Sequence, residues 1–464
     1  MQKESVRVKL FLLCILITSG ISVQCQENRA TIIDSMIHRA NRLGIFNGNV
    51  LIADKGKILY QKAIGWTDPT HKTRLTQQHR FHIGSIAKEF NAVAIMLLKE
   101  QGKLNLDDKV AQYLPELPAW AGKIGIINLL QYTSGLPDVK WKTVKSDADN
   151  MQDLMTLQKL DFEPGTNYAY NNNNVFLQRR IIEKITGKTF NAFVEEQLLK
   201  PCNMTNARVD PPASDTLLTT AFNNEGKANS LIIPISGWTA VTLDDFYKWS
   251  QSISSFRLLS PETTKSILVP VRPNTQSGLG GGYMEGEQVM RHIHDGSAFN
   301  YNALLVSDPP KQRTVILMTN NKQGNLYELN AAIQAILDGK PYKQPKKPVT
   351  GLLQKQMDKL GAKALIREYE KLKKQPSQEY DFDSESSLNE IGYAYLGKNR
   401  VDDAILIFEY NTKLFPASGN VFDSLGEAYY KKGNTKKALL NYKRSLELDP
   451  GNTNAKALIE TLGK

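Results

Sequence analysis

With 464 residues, 41% of them hydrophobic, the chain is too long for one ordinary core and too apolar for disorder, so two or more domains are expected. The formal charge of +11 is largely diffuse lysine without a basic-aromatic motif, which excludes a nucleic-acid binder and leaves attraction to anionic envelope surfaces. Two of the three cysteines, Cys14 and Cys25, fall at the N-terminus and leave Cys202 alone, which excludes a disulfide framework.

Lys3, Arg7 and Lys9 precede an apolar run from Leu10 to Ile17, and small and polar residues follow. That three-part layout reads as a secretory signal over residues 1–25. The run is too short to span a bilayer, and no later stretch approaches the ~20 apolar residues of a membrane helix. The chain is therefore expected to be exported, periplasmic or extracellular, with no transmembrane helix. Ser22-Val23-Gln24 lacks the small residue that usually precedes a lipidated cysteine, which disfavours an anchor at Cys25.

Val50 to Ala53 and Ile58 to Tyr60 flank Asp54-Lys55-Gly56-Lys57, a hairpin signal. A helical pattern follows Ser85, apolar throughout from Ala92 to Leu98 and stopped at Gly102, as befits a helix in the middle of a domain. Loops and shorter helices are expected from Asp107 to about Ala298. Strand patterns return at Tyr301 to Val306 and Thr314 to Thr319, and an amphipathic helix from Leu326 to Leu337 closes the unit.

Residues 339–351 form a Pro/Lys-rich spacer. Beyond it, Ile391, Gly392, Tyr395, Ala404, Phe408 and Pro416 recur 34 positions later as Leu425, Gly426, Tyr429, Ala438, Tyr442 and Pro450. This resembles the tetratricopeptide repeat. The predicted layout is a signal (1–25), a main domain (26–338), the linker, and a helical domain (352–464) with clear repeats at about 388–450. Leu352 to Lys374 serves as an atypical first helix pair.

Three elements carry chemistry. In Ser85-Ile86-Ala87-Lys88 a hydroxyl and an amine stand three residues apart, on one helical face, where the amine can take the serine proton. Ser85 opens a buried helix, so its own N–H lies at the positive helix end, suited to an oxyanion. Tyr170-Asn171-Asn172 supplies a phenol that acts as a base if nearby cations ionise it, and an amide able to grip substrate; four consecutive asparagines also read as a polar turn. His294-Asp295-Gly296-Ser297 offers a glycine for close substrate approach and the Ser297 N–H as second oxyanion donor. His292 and His294 share a strand face, but zinc wants three or four ligands and no Cys or Glu clusters with them, so neither a metal nor a cofactor is expected. Gly278-Leu279-Gly280-Gly281-Gly282 lacks the setting of a phosphate loop and reads as the start of a strand.

In order and content, these elements resemble the serine β-lactamase-like family of class C β-lactamases and D-alanyl-D-alanine carboxypeptidase-like hydrolases. Tyr132-Thr133-Ser134-Gly135-Leu136-Pro137 and Lys200-Pro201-Cys202-Asn203-Met204-Thr205 reinforce the likeness, which covers about Gly44 to Leu337. It implies an α+β fold, an antiparallel sheet flanked by helices, beside the all-α repeat domain. It also implies Ser85 as acylated nucleophile, Lys88 as its proton partner, Tyr170 as general base, and Asn172, His294, Gly296 and Ser297 as substrate-binding residues. Asn171 replaces the family's usual serine, and His-Asp-Gly replaces Lys-Thr-Gly; a neutral histidine grips a carboxylate less firmly, which favours an esterase or peptidase over an efficient β-lactamase. The expected partners are a small-molecule or peptide substrate and a protein or peptide at the repeats. The alternative is a catalytically slow penicillin-binding-type or scaffold protein that docks a partner.

Overall fold

The computed structural model describes residues 28–229, 233–273, 275–375 and 379–462. The signal segment and the anchor question at Cys25 lie outside these residues. Two compact units, Met1–Gln344 and Pro345–Lys464, divide within the Pro/Lys-rich stretch.

The first unit is built on a six-stranded sheet. Strands β1 (Gly48–Asp54) and β2 (Lys57–Ile64) form the N-terminal hairpin. Its turn has both central residues at positive φ, Lys55 at 53° and Gly56 at 76°, the twist that suits a two-residue hairpin. The other strands are β3 (Gly281–Glu285), β4 (Gln288–Ala298), β5 (Tyr301–Asp308) and β6 (Arg313–Thr319). Their order is β2-β1-β6-β5-β4-β3, antiparallel throughout.

Central strands read as unbroken apolar runs because both sheet faces are covered. Val50, Ile52, Leu304, Val306, Val315 and Leu317 pack with helix α1 (28–42) and the helix Leu326–Leu337. Their neighbours Leu51, Ala53, Ala303, Leu305, Ile316 and Met318 face the larger helical layer. Strand alternation thus sorts adjacent apolar residues into two cores. In the larger core lies α2 (Lys88–Glu100), buried from Lys88 to Met96 and again at Leu98; the chain leaves it through Gly102 at φ 68°.

The stretch from Asp107 to Ala298 is more regular than expected. It contains α3 (Asn172–Thr186), α4 (Leu243–Ser254) and strands β3 and β4. The glycine-rich run at 278–282 does lead into β3 and the two histidines do lie on a strand, but the full length of β4 escapes a pattern reading because it carries charged and polar residues on both faces.

In the second unit, helices Thr350–Met357 and Ala362–Lys374 precede the pairs Ser386–Gly397/Val401–Leu414 and Gly419–Lys431/Thr435–Leu448. The 34-residue repeat has a steric basis. A Cβ on Gly392 would meet the Phe408 ring at 2.4 Å, and one on Gly426 would meet the Tyr442 ring at 2.8 Å, so each glycine admits the aromatic of its partner helix. Among the described residues no helix is long and apolar enough to cross a membrane.

Candidate active site

Ser85 sits in a single 3₁₀ turn, Gly84–Ala87, that feeds α2 at Lys88, rather than at the mouth of an α-helix. Residues three apart eclipse one another in such a turn. Lys88 is stacked on Ser85 accordingly, with Nζ 3.0 Å from Oγ. The turn interlocks with β4 backbone to backbone: a Cβ on Gly84 would lie 2.4 Å from the Ser297 nitrogen, and one on Gly296 would lie 2.0 Å from the Ile83 oxygen and 2.8 Å from the Ser85 nitrogen. These two glycines bring Ser85 and Ser297 to the wall of one cavity of about 300 Å³, completed by Tyr168, Tyr170, Gln276, Asp295 and Gly296. Gly296→Ala must push the turn and strand apart. The expected result is roughly a 10²-fold fall in kcat/KM, the scale of a 1 Å misplacement, together with a lower melting temperature in thermal unfolding.

Tyr170 is positioned by the asparagine run that follows it. Asn171 caps α3 through Asn174 N–H and donates from Nδ2 to the Leu136 carbonyl at 2.7 Å. Asn173 donates to the Pro137 carbonyl, Asn174 accepts from the Ser134 hydroxyl, and the Asn172 N–H donates to Asp138 Oδ1 at 2.8 Å. All four side chains or backbones therefore tie the start of α3 to the 134–138 loop; the run is a helix start, not a free polar turn. Tyr132, at φ 56°, lays its ring 4.7 Å from that of Tyr170. Asn172 stands away from the cavity wall, its Nδ2 also directed at Asp138 and its buried Oδ1 without a hydrogen-bond partner.

Burial pulls the Lys88 amine down to about 7; Arg179 adds to the depression and Asp138 opposes it. The amine lies 5.0 Å from the Tyr170 ring centroid and 5.3 Å from that of Trp238. Tyr170 keeps an edge open to the cavity, yet burial around its hydroxyl raises the phenol's pKa; a hydrogen bond with Ser85 opposes this, and Tyr168, Asp295 and Asp138 reinforce it. Burial therefore favours the neutral phenol, against the cation-stabilised phenolate of the sequence reading. Of the two groups, burial draws the pKa of the lysine towards neutral pH and drives that of the tyrosine away from it.

The histidines need a larger correction. His292 Nε2 and His294 Nδ1 converge on Glu89 Oε1 at 3.0 and 2.7 Å, and the Trp249 indole donates to Glu89 Oε2 at 2.6 Å. Burial alone would push the Glu89 carboxyl up; the two imidazoles override it and hold it well below the usual range. His294 is therefore turned into the core and does not line the cavity; Asp295, Gly296 and Ser297 do. Glu89 and Asp138 are the residues that sequence reading missed. Glu89 follows Lys88 directly but gives no local signal, whereas Asp138 follows the quoted Thr-Ser-Gly-Leu-Pro run.

The family profile described as Beta-lactamase matches residues 30–339, and one described as Tetratricopeptide repeat matches residues 420–452. Penicillin-binding protein 4* of Bacillus subtilis is 27% identical over 360 residues, 70% of this chain and 79% of its own length. Protein flp of Staphylococcus aureus is 24% identical over 320 residues, 62% of each chain. A penicillin-binding protein from Bacillus halodurans superposes with TM-score 0.57 at 22% identity, over 65% of this chain and 98% of its own. A class C β-lactamase does so with TM-score 0.58 at 18% identity, over 67% and 96%; likenesses this distant speak for the fold. On the match across residues 30–339, the chain belongs to the Beta-lactamase family of serine hydrolases, with a tetratricopeptide repeat in its C-terminal unit.

Proposed function

We propose that this chain is an exported serine hydrolase that works through an acyl-enzyme on Ser85 and cleaves esters, D-amino-acid peptides or lactam-type substrates, with esterase or peptidase action ahead of β-lactam destruction. The observation that carries this reading is the 3.0 Å contact between Ser85 Oγ and a lysine amine drawn down to about 7.

Ser85 Oγ attacks the substrate carbonyl as its proton passes to neutral Lys88. The Ser85 and Ser297 N–H groups, brought to one wall by Gly84 and Gly296, hold the developing oxyanion. The tetrahedral adduct collapses to the acyl-enzyme. Tyr170, neutral and linked to Ser85, hands its proton to the departing oxygen or nitrogen and is reprotonated by Lys88. Water then attacks the acyl carbon, losing its proton to the same pair, and as the bond from the acyl carbon to Oγ breaks the pair returns that proton to Ser85. Preference for esters or peptides over lactams is supported by the lack of a lysine at the His294 position and by the inward turn of that histidine. The signal-like N-terminus supports export, and the repeat unit supports docking of a protein or peptide.

The test is acylation of the purified mature chain by an activated aryl ester and by a fluorescent penicillin. An adduct located on Ser85 by peptide mass spectrometry is expected, with an acylation rate that climbs as pH rises through about 7, where Lys88 loses its proton, and levels off above. If neither reagent labels Ser85 and no ester turns over, the catalytic reading fails and a partner-docking protein takes its place.

A further inference from the structure

One side chain on the cavity wall has no part in the proton transfers above. Among the described residues that line it, Asp295 alone carries a formal charge. It lies on β4 one residue before Gly296, paired across the sheet with Leu304. The outer edge of β4 is open there, because pairing with β3 ends at Gly281↔Ile293. A substrate lying along that edge towards Ser85 and Ser297 must pass the Asp295 carboxylate. The carboxylate is also held in place: the Tyr327 hydroxyl donates to its Oδ1 at 2.7 Å.

Nothing on the wall offsets this charge. Lys88 is 5% exposed and directed at Ser85. Arg291, two turns of the alternation back along the same strand, acts on the Tyr327 hydroxyl but does not line the cavity. The negative potential reaches the reacting groups, since Asp295 and Asp138 are both among the charges that raise the Tyr170 phenol.

We infer that Asp295 sets the charge preference of the site, so that the substrate group lying beside it is an amine or is neutral and a carboxylate there is rejected. The inference rests on the acyl-enzyme reading and narrows its substrate class. A peptide or ester whose portion along β4 ends in an ammonium or an uncharged cap fits; one with a free carboxylate at that place does not. Even at the dielectric of bulk water, a carboxylate about 4 Å away changes binding of a unit charge by roughly fivefold in each direction, and by more where the site excludes solvent.

The experiment uses two matched sets of aryl esters. In one, a constant acyl group is paired with leaving groups bearing carboxylate, no charge or trimethylammonium; in the other, the leaving group is constant and the acyl chain ends in carboxylate, methyl or ammonium. In at least one set, kcat/KM should run from cation down to anion by roughly tenfold or more. Asp295→Asn should compress that ratio to within about twofold, a comparison internal to each variant and so insensitive to any general loss of activity. Equal rates for anionic and cationic esters in both sets, or a ratio unchanged in Asp295→Asn, overturns the inference while leaving the hydrolase intact. Absence of any Ser85-dependent turnover, judged against Ser85→Ala, overturns the acyl-enzyme reading and this one with it.

Discussion

Ser85→Ala is expected to lower ester turnover on the order of 10⁴- to 10⁶-fold, and Lys88→Met to fall within about tenfold of it, with the double variant no worse than either. Oγ and Nζ are 3.0 Å apart, and in the proposed acyl-enzyme cycle they act as one unit: without the hydroxyl nothing is acylated, and without the amine the hydroxyl keeps its proton. The residual rate belongs to the two backbone donors and to binding, which neither substitution removes. Steady-state kinetics on the three variants decides the matter. Losses that multiply in the double variant would mean that the serine and lysine act independently. Because Lys88 is buried and its charged form is disfavoured by burial, methionine fills its place without leaving an unpaired charge, so the loss should be chemical and the fold retained.

Glu89→Ala is expected to destabilise the protein by about 3–5 kcal/mol, measured as the shift in urea midpoint at constant slope. The carboxylate receives His292, His294 and the Trp249 indole in a fully buried setting, so its removal strands three polar groups and opens a void at once. A loss of that size rivals the 5–15 kcal/mol total of a typical domain. Glu89→Gln keeps the shape and one acceptor and should lose clearly less. If alanine costs under about 1 kcal/mol, the cluster does not brace α2 against β4.

The sequence made much of this site legible. Ser85 and Lys88 are recognisable because a three-residue spacing brings side chains together on α- and 3₁₀-helices alike, so the contact survives the change of helix type. The repeat was readable because Gly392 with Phe408 and Gly426 with Tyr442 are the same steric pair placed twice. Burial of the sheet on both sides follows from its apolar central strands, whereas β4 was legible only around its two histidines: its polar residues serve a buried carboxylate on one face and an open cavity on the other. Glu89 was hidden for a different reason. Its imidazole partners are 203 and 205 positions away, and an acid after a lysine on a helix ordinarily faces water. His294 was misplaced by parity. Gly296 packs against the 3₁₀ turn, and a residue two before it must point the same way, inward, while Asp295 takes the place facing the substrate.

The crossing at Gly84 and Gly296 means that the two amides proposed to hold the reacting oxygen come from opposite partners in a tertiary contact, one from the helical layer and one from the sheet. On the proposed mechanism, catalytic competence is created only when those layers dock. No isolated segment possesses it, and any excursion that parts the layers by an ångström switches the chemistry off while most of the secondary structure persists.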